Sequence, residues 1–532
     1  MNQIDALAPR DPSAPAQIGM PARPARAAFP LLAALGVGLA AHLLTRGTGL
    51  GLNLALLTAL FAGVSVWGTV RQDHARHGQV QRGAVPTPEG LILLGVAVAF
   101  AVGFTLRAAP SELAFLNGVG LLLALLLGTA FLRFPGLSGA GVGRMVGAAF
   151  TGGLRLVYGP LALLERFPWA RVRPAQSGGL TRAAVGALLT VPVLIVFGGL
   201  LGRADDGFGA VIHRVFDWPL DGVFQSGFTL ALWVALAGGL LYPAVLSLRP
   251  SVIPDFSAQP RLGLVEVGLP LGALSALFVA FVVTQLPYFL SGSALPGGLT
   301  FATYIRQGFG ELMTVAFLTL SVLLGAFTLT RADVRAGVAY RLLNLAVLLP
   351  LALVILSAAN RWRLYTLAYG LSEIRVLGAA FLIWVVLTLA WLARGLWRGD
   401  VRHFAFPALL AGFAVLLGTT ALDPAALIAR VNVHRQMAAV TNDLRTSPQR
   451  ADVWELLRLG AGSVPLIVAN LDTLSPTTST NAFEGRQAVI DRLHDTYDHA
   501  PGLREWNLAQ ARAHALALTL PPRSANHDRS PD

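Results

Sequence analysis

The stretch AYRLLNLAVLLPLALVILSA, residues 339–358, holds one charged side chain and shows no alternation of apolar and polar positions. As a helix it spans about 30 Å, the thickness of a bilayer's hydrocarbon. In lipid every backbone N–H and C=O needs an internal partner, so such a run must be helical, and the lack of a period of two argues against a β-barrel strand. Ten further stretches read the same way, near 27–44, 50–70, 90–106, 113–132, 181–201, 225–246, 264–286, 310–330, 371–393 and 404–421. The expected fold class is therefore all-α: a polytopic transmembrane helix bundle of about 11 spans with a small helical C-terminal extramembrane region.

Composition agrees. Only 13% of residues are charged and mean hydropathy is +0.63, against about 25% charged in soluble domains. One globular core cannot hide that much apolar surface, because single cores stop growing near about 250–300 residues. The chain has no cysteine, which removes disulfides, iron–sulfur clusters, thiolate zinc sites and thiol nucleophiles. It has no lysine either, so all 40 basic residues are arginine, and a Walker A lysine, a Schiff base and Ser–Lys catalysis are excluded. The +12 net charge is spread through short loops between apolar runs. That pattern fits membrane topology and anionic headgroups better than a nucleic-acid partner, so the bilayer itself is the first expected partner.

Residues 1–26, with Pro12, Pro15, Pro21 and Pro24, read as a disordered tail ahead of an uncleaved first anchor. Pro192, Pro243, Pro270, Pro287, Pro350 and Pro407 fall in or beside spans, where neighbouring helices tolerate kinks. The segment 144–166, interrupted by Arg144, Arg155 and Arg166, reads as an interfacial helix on the cytoplasmic side. With the N-terminus inside, inner segments carry 21 arginines and outer loops 8, the other 11 lying after residue 422. The positive-inside rule then places the N-terminus in the cytoplasm of a bacterial inner membrane and the C-terminal region outside. That region, 423–520, starts with the helix signal Asp423-Pro424 and expects further helices from Ser447-Pro448, over 485–499 and over 503–519, with a disordered end at 521–532.

Five motifs give the chain a family resemblance. Tyr304-Ile305-Arg306-Gln307-Gly308-Phe309-Gly310-Glu311-Leu312 looks like a Y-x-R-x-G-F-x-E-L signature. Gly49-Leu50-Gly51-Leu52-Asn53 opens the second span, Ala204-Asp205-Asp206-Gly207-Phe208 follows the fifth, and Arg363-Leu364-Tyr365 with Tyr369-Gly370-Leu371-Ser372-Glu373-Ile374-Arg375 opens the tenth. Asp423-Pro424-Ala425 through Asn432 follows the last. In this order they resemble the bacterial membrane family named domain of unknown function 4173, related to 4153. The resemblance implies the fold class and a membrane location, but no activity. Two departures stand out: the family's Asn-Pro-Asp is Asp423-Pro424-Ala425, and its Asp in Leu-Ser-x-Asp-Ala-Val-Pro is Gly462.

Charged groups near spans carry the most chemical information, since each costs about 2.5–3.5 kcal/mol at mid-membrane. Tyr304, Gly308 and Glu311 share one helix face by their i, i+4, i+7 spacing, with Arg306 nearby. Arg361, Tyr365, Tyr369 and Glu373 recur every four residues, beside Arg363 and Arg375. Apart from Gly308, these nine residues together form a candidate outward-facing polar pocket, with arginines for a phosphate or carboxylate and Glu311 and Glu373 as acid–base or locking groups. The competing reading is an interfacial belt of aromatic and arginine side chains. His74 with His77, and His494 with His499, read as solvated loop residues rather than metal ligands, and Asp205 with Asp206 lacks a visible second acid. No H-E-x-x-H, G-x-S-x-G or P-loop is present. No catalytic residue, metal or cofactor is expected. The leading function class is a non-enzymatic envelope regulator or assembly factor with an extracytoplasmic protein partner. The alternatives are a transporter of a small or amphiphilic anion and a membrane enzyme acting on lipid-linked envelope substrates.

Overall fold

A computed structural model describes residues 28–73, 85–107, 111–133, 136–165, 221–246, 262–291, 301–401, 403–441, 453–474 and 482–523. Among them there is no strand, only an isolated bridge between Leu262 and Thr330. The helices in the first part of the chain are α1 (Ala28–Thr45), α2 (Leu52–Asp73), α3 (Pro88–Leu106), α4 (Ser111–Phe131), α5 (Val142–Glu165) and α6 (Asp221–Leu246). There follow α7 (Leu264–Ser291), α8 (Phe301–Leu329), the short α9 (Ala332–Ala336), α10 (Val338–Tyr369), α11 (Glu373–Arg398) and α12 (Ala405–Ala421). The C-terminal region holds α13 (Pro424–Thr441), α14 (Val453–Arg458), α15 (Val464–Ala469), α16 (Leu471–Leu474), α17 (Ala482–Tyr497) and α18 (Leu508–Ala517).

Eight of these, α2, α3, α4, α6, α7, α8, α10 and α11, are long and apolar enough to cross a membrane. A ninth is counted if α12 and α13, bent by 57° at their junction, form one span, and α1 is a shorter apolar helix. The all-α polytopic bundle expected from the sequence is the observed fold, and every expected span except 181–201, which lies outside the described residues, falls on one of these helices. The N-terminal tail, Ser447-Pro448 and the end after Arg523 also lie outside them.

Among the described residues the bundle has two large apolar cores, and a smaller cluster of Leu312, Met313, Val354 and Ala358 joins α8 to α10. One large core joins α1 to α6 around Phe61, Phe100, Leu127 and Leu241. The other joins α7, α8, α10 and α11 around Leu271, Leu323, Tyr340 and Leu392. Helix α12 stitches them, since Phe406 and Phe413 sit in the first and Phe404 and Ala408 in the second. Large apolar side chains such as Val265, Leu269 and Leu277 of α7 point outward, where lipid rather than water receives them. Lipid tails are as apolar as leucine, so packing must come from close approach. A Cβ on Gly38 would stand 2.5 Å from Val234 Cα, and one on Gly159 would stand 2.8 Å from Gly239 Cα.

Helix α5 touches Leu126 of α4 through Gly152 and Gly239 of α6 through Gly159. Its inward side is Met145, Ala148, Gly152 and Arg155, and its outward side is Val146, Phe150 and Val157.

The C-terminal region folds on its own core of Val464, Ile467, Val489, Ile490, Leu493 and Ala513. The sequence reading put a helix over 503–519, but α18 starts only at Leu508. Asn507 explains the shift: its Oδ1 accepts Ala509 N at 2.9 Å and Gln510 N at 3.2 Å, an N-cap that starts the helix after the turn at 503–505. Residues 504–507 form a clasp on the bundle. Asn507 Nδ2 donates to Phe104 O of α3 at 2.6 Å, and Arg504 donates to Leu43 O of α1 at 2.8 Å. The N–H groups of Leu52 and Asn53 donate to Trp506 O and Arg504 O at 3.1 and 2.8 Å. Helix ends leave orphan N–H and C=O groups, and the clasp satisfies those of three helices at once.

Candidate functional site

The sequence-predicted cluster is divided by the structure. Arg361, Arg363, Tyr365 and Tyr369 lie on α10, but Gly370, at φ 74°, closes that helix, so Glu373 and Arg375 open α11 instead of continuing one stripe. Glu311 is exposed on α8, and the side chains of Tyr304 and Arg306 lie outside the described residues. Arg361 is buried and Arg363 exposed.

What is brought together is a latch on the α10–α11 turn. Arg375 donates to Tyr369 O at 2.9 Å and Gly370 O at 2.7 Å, with its guanidinium 4.1 Å above the Tyr365 ring. Tyr365 and Tyr369 meet edge to face at 5.3 Å. From α13, Asn432 accepts Leu371 N at 2.8 Å and donates to Leu371 O at 2.9 Å, while Arg435 donates to Leu367 O at 2.8 Å. A Cβ on Gly370 would overlap Asn432 Oδ1. Cations on the carbonyls of a helix C-terminus are stabilising, and these arginines are spent on that task. Beside the latch, Glu373 accepts Leu113 N at 3.0 Å and shares a side-chain hydrogen bond with Glu112.

The Gly49–Asn53 motif has a structural explanation. Buried Asn53 accepts the N–H groups of Gly51 and Leu54 at 2.9 and 2.8 Å and donates to Leu44 O and Gly49 O at 3.1 and 2.8 Å. Gly51 has no room for a Cβ, because the backbone of Glu505 and Trp506 lies against it. The Glu505 carboxylate accepts Gly49 N at 2.9 Å and Gly502 N at 3.3 Å, bonds that hold it below the ordinary range.

A cleft missed by sequence reasoning opens between the bundle and the C-terminal region, with a volume near 420 Å³. Arg107 stands at the end of α3, Asp423 at the α12–α13 elbow, Arg430 on α13 and Arg512 on α18. Arg107 pairs with Asp423 at 2.8 Å and reaches Ala421 O at 3.4 Å. Asp423 takes φ 54°, a conformation that Asp tolerates better than most, and its other oxygen accepts Ala426 N at 3.3 Å. A Cβ on Gly462 would stand 2.5 Å from Asp423 Oδ1 and 3.0 Å from Ala425 Cβ. The two departures noted from the family pattern thus face each other across one wall of this cleft. No sequence signal finds it: its charged members are brought in from α3, the elbow, α13 and α18, hundreds of residues apart.

Another cleft, near 380 Å³, lies at the opposite end, lined by Arg335, Arg341, Arg398 and Asp400. Among the described residues no group of three or more metal-ligating side chains gathers.

An all-helical bundle with apolar spans, helix ends closed by a C-terminal clasp and clefts at its two ends defines a multi-pass membrane protein. The family profile described as "Domain of unknown function (DUF4153)" matches residues 94–470. The chain belongs to that family. Neither a curated protein nor a solved structure matches it.

Proposed function

We propose that the protein sits in the bacterial cytoplasmic membrane, N-terminus inside and C-terminal region outside, as a non-enzymatic envelope regulator or assembly factor. In this reading it presents its C-terminal region to an extracytoplasmic partner protein. The clasp carries the reading: Arg504 to Asn507 fix the region to the ends of α1, α2 and α3. A surface held in one pose loses little further entropy on binding. The arginine distribution supports the sidedness, and Arg144, Arg155 and Arg166, which interrupt 144–166, favour an interfacial helix on the cytoplasmic side. On its Y-x-R-x-G-F-x-E-L stretch we place the chain toward the 4173 branch of the family.

The natural absence of cysteine makes the test clean. Thr496→Cys should react with a membrane-impermeant maleimide in cells with an opened outer membrane, and Asp333→Cys only after the inner membrane is permeabilised. The reverse pattern would overturn the sidedness. A photo-crosslinker at the exposed positions Trp454 or Leu518 should give one discrete adduct that disappears in Gly51→Ala, where the clasp cannot close. Failure of any adduct to form, or one indifferent to the clasp, refutes the partner.

The Glu112–Glu373 contact favours a second reading, a membrane enzyme acting on lipid-linked envelope substrates with this pair as acid and base. Glu373→Gln decides between them. Lost function at unchanged protein level supports catalysis, and function that merely follows a fallen protein level supports a capping role.

A further inference from the structure

The arginines of the junction cleft lie where topology does not ask for them. The positive-inside rule accounts for arginines in short loops at the end away from the C-terminal region. Arg107, Arg430 and Arg512 are at the other end, and they converge on one cleft with Asp423 as the carboxylate among its lining residues. Arg107 is matched to Asp423. Arg430 and Arg512 are exposed and form no ion pair among the described residues. Asp423, Leu427 and Arg430 are spaced i, i+4, i+7, so one face of α13 addresses the cleft, and Ala509 with Arg512 address it from α18. The lining thus has a formal surplus of two positive charges.

The rest of the lining is apolar. Leu106 and Leu422, 43% and 68% exposed, stand where α3 and α12 end. Spanning helices leave the hydrocarbon at such ends, so the cleft joins an arginine-lined hollow to the level of lipid acyl chains. A guanidinium presents its donors as a planar fork that matches two oxygens of a phosphate.

We propose that this cleft binds a phosphate group, and that its source is the headgroup of an anionic phospholipid, with Arg430 and Arg512 as the gripping residues and Leu106 and Leu422 against the first acyl methylenes. Arg107 is a positioning residue that holds the elbow through Asp423. The site does not depend on a protein partner for the C-terminal region, and its test reads a different quantity.

The full chain in detergent is titrated with short-chain phosphatidylglycerol, short-chain phosphatidylcholine and inorganic phosphate, and bound ligand is read by native mass spectrometry. The wild type should retain phosphatidylglycerol about tenfold better than phosphatidylcholine, a factor worth about 1.4 kcal/mol. Arg430→Gln/Arg512→Gln, both exposed and so expected to fold, should abolish that preference while melting at the wild-type temperature. High salt should weaken the binding, as expected for exposed charges. Should inorganic phosphate bind as well as the lipid and be lost in the same variant, the phosphate site stands and its lipid source is wrong. Equal retention of phosphatidylglycerol by the wild type and the folded double variant would overturn the proposal, as would phosphatidylcholine binding equally well.

Discussion

At one end of the bundle Arg335, Arg341 and Arg398 surround Asp400; at the other, Arg107, Arg430 and Arg512 surround Asp423. The first set comes from the short helix α9, the start of α10, the end of α11 and the turn after it, all close to short joints between apolar runs. Arg335 there lies 4.6 Å over the Phe327 ring and touches Phe327 O, eight residues back. The second set is assembled from helices 316 positions apart in the Arg107–Asp423 pair alone. The same side chain thus serves two physical ends. In the loops, it marks which side of the membrane a joint belongs to, and local contacts suffice. At the junction, it works only after the C-terminal region has docked. The difference predicts that substitutions at the clasped end disturb long-range docking, and that comparable ones at the other end remain local.

The sharpest way to break that comparison is Gly51→Ala. The added methyl meets the backbone of Glu505 and Trp506, which cannot move aside as a side-chain tip can. The expected result is an open clasp, read as rapid proteolysis between residues 498 and 508 while the spanning helices stay protected. A single added methyl at Gly325 of α8, which has open space around it, should leave proteolysis unchanged or even slowed, since Ala favours a helix by about 1 kcal/mol over Gly. Equal proteolysis in both variants would mean that the clasp does not hold the C-terminal region.

Next in size is the contrast of two buried asparagines. Asn53 is satisfied at both ends of its amide. Asn344, on α10 toward the other end, donates to Tyr340 O at 2.7 Å but leaves its buried Oδ1 unpartnered. Removing a side chain whose partners are then stranded costs about 1–3 kcal/mol, whereas removing one already half-satisfied costs little or is stabilising. Asn53→Ala should lower the melting temperature in detergent by several degrees, and Asn344→Ala by much less. The reverse ranking would show that the α1–α2 turn is not what positions the clasp.

Acid should act on the same clasp. The Glu505 carboxyl sits below its usual 4.5 because Gly49 N and Gly502 N hydrogen-bond to it, with Arg504 as the nearby charge. A depressed folded value means that the stabilisation is complete above the unfolded value and is lost as pH falls through the folded one. Protease protection of the clasp should therefore be flat from neutral pH to about 5 and decline below 4.5. In Glu505→Gln the decline should flatten, since glutamine keeps one acceptor and does not titrate.

The sequence made the bundle legible because lipid imposes one rule along each span: enough apolar residues to cross, and a helix to satisfy the backbone. Asp423-Pro424 as a helix start was equally local, and Asp423 does cap Ala426. What periodicity could not register was Gly370. A spacing of four from Arg361 to Glu373 assumes one unbroken helix, and a left-handed glycine ends it. Nor could it separate residues 503–507 from α18, because their backbone groups are satisfied by α2 rather than by their own neighbours. The arginine cleft was out of reach for the same reason, since sequence separation hides contacts made by docking.

The smallest effect is expected at Arg331, and it sharpens the comparison from the opposite side. Arg331 meets Asp333 at 3.5 Å with both side chains more than half exposed, 54% and 70%. Arg107 meets Asp423 at 2.8 Å with 33% and 15% exposed. Exposed pairs are worth about 0–1 kcal/mol because water screens them and the side chains lose freedom in meeting. Arg331→Ala should thus leave the melting temperature within about 1 °C of wild type. Arg107→Ala should lower it measurably, since it strands a mostly buried carboxylate at the elbow. Equal shifts would place the two ends under one rule and remove the distinction between local and docked arginines.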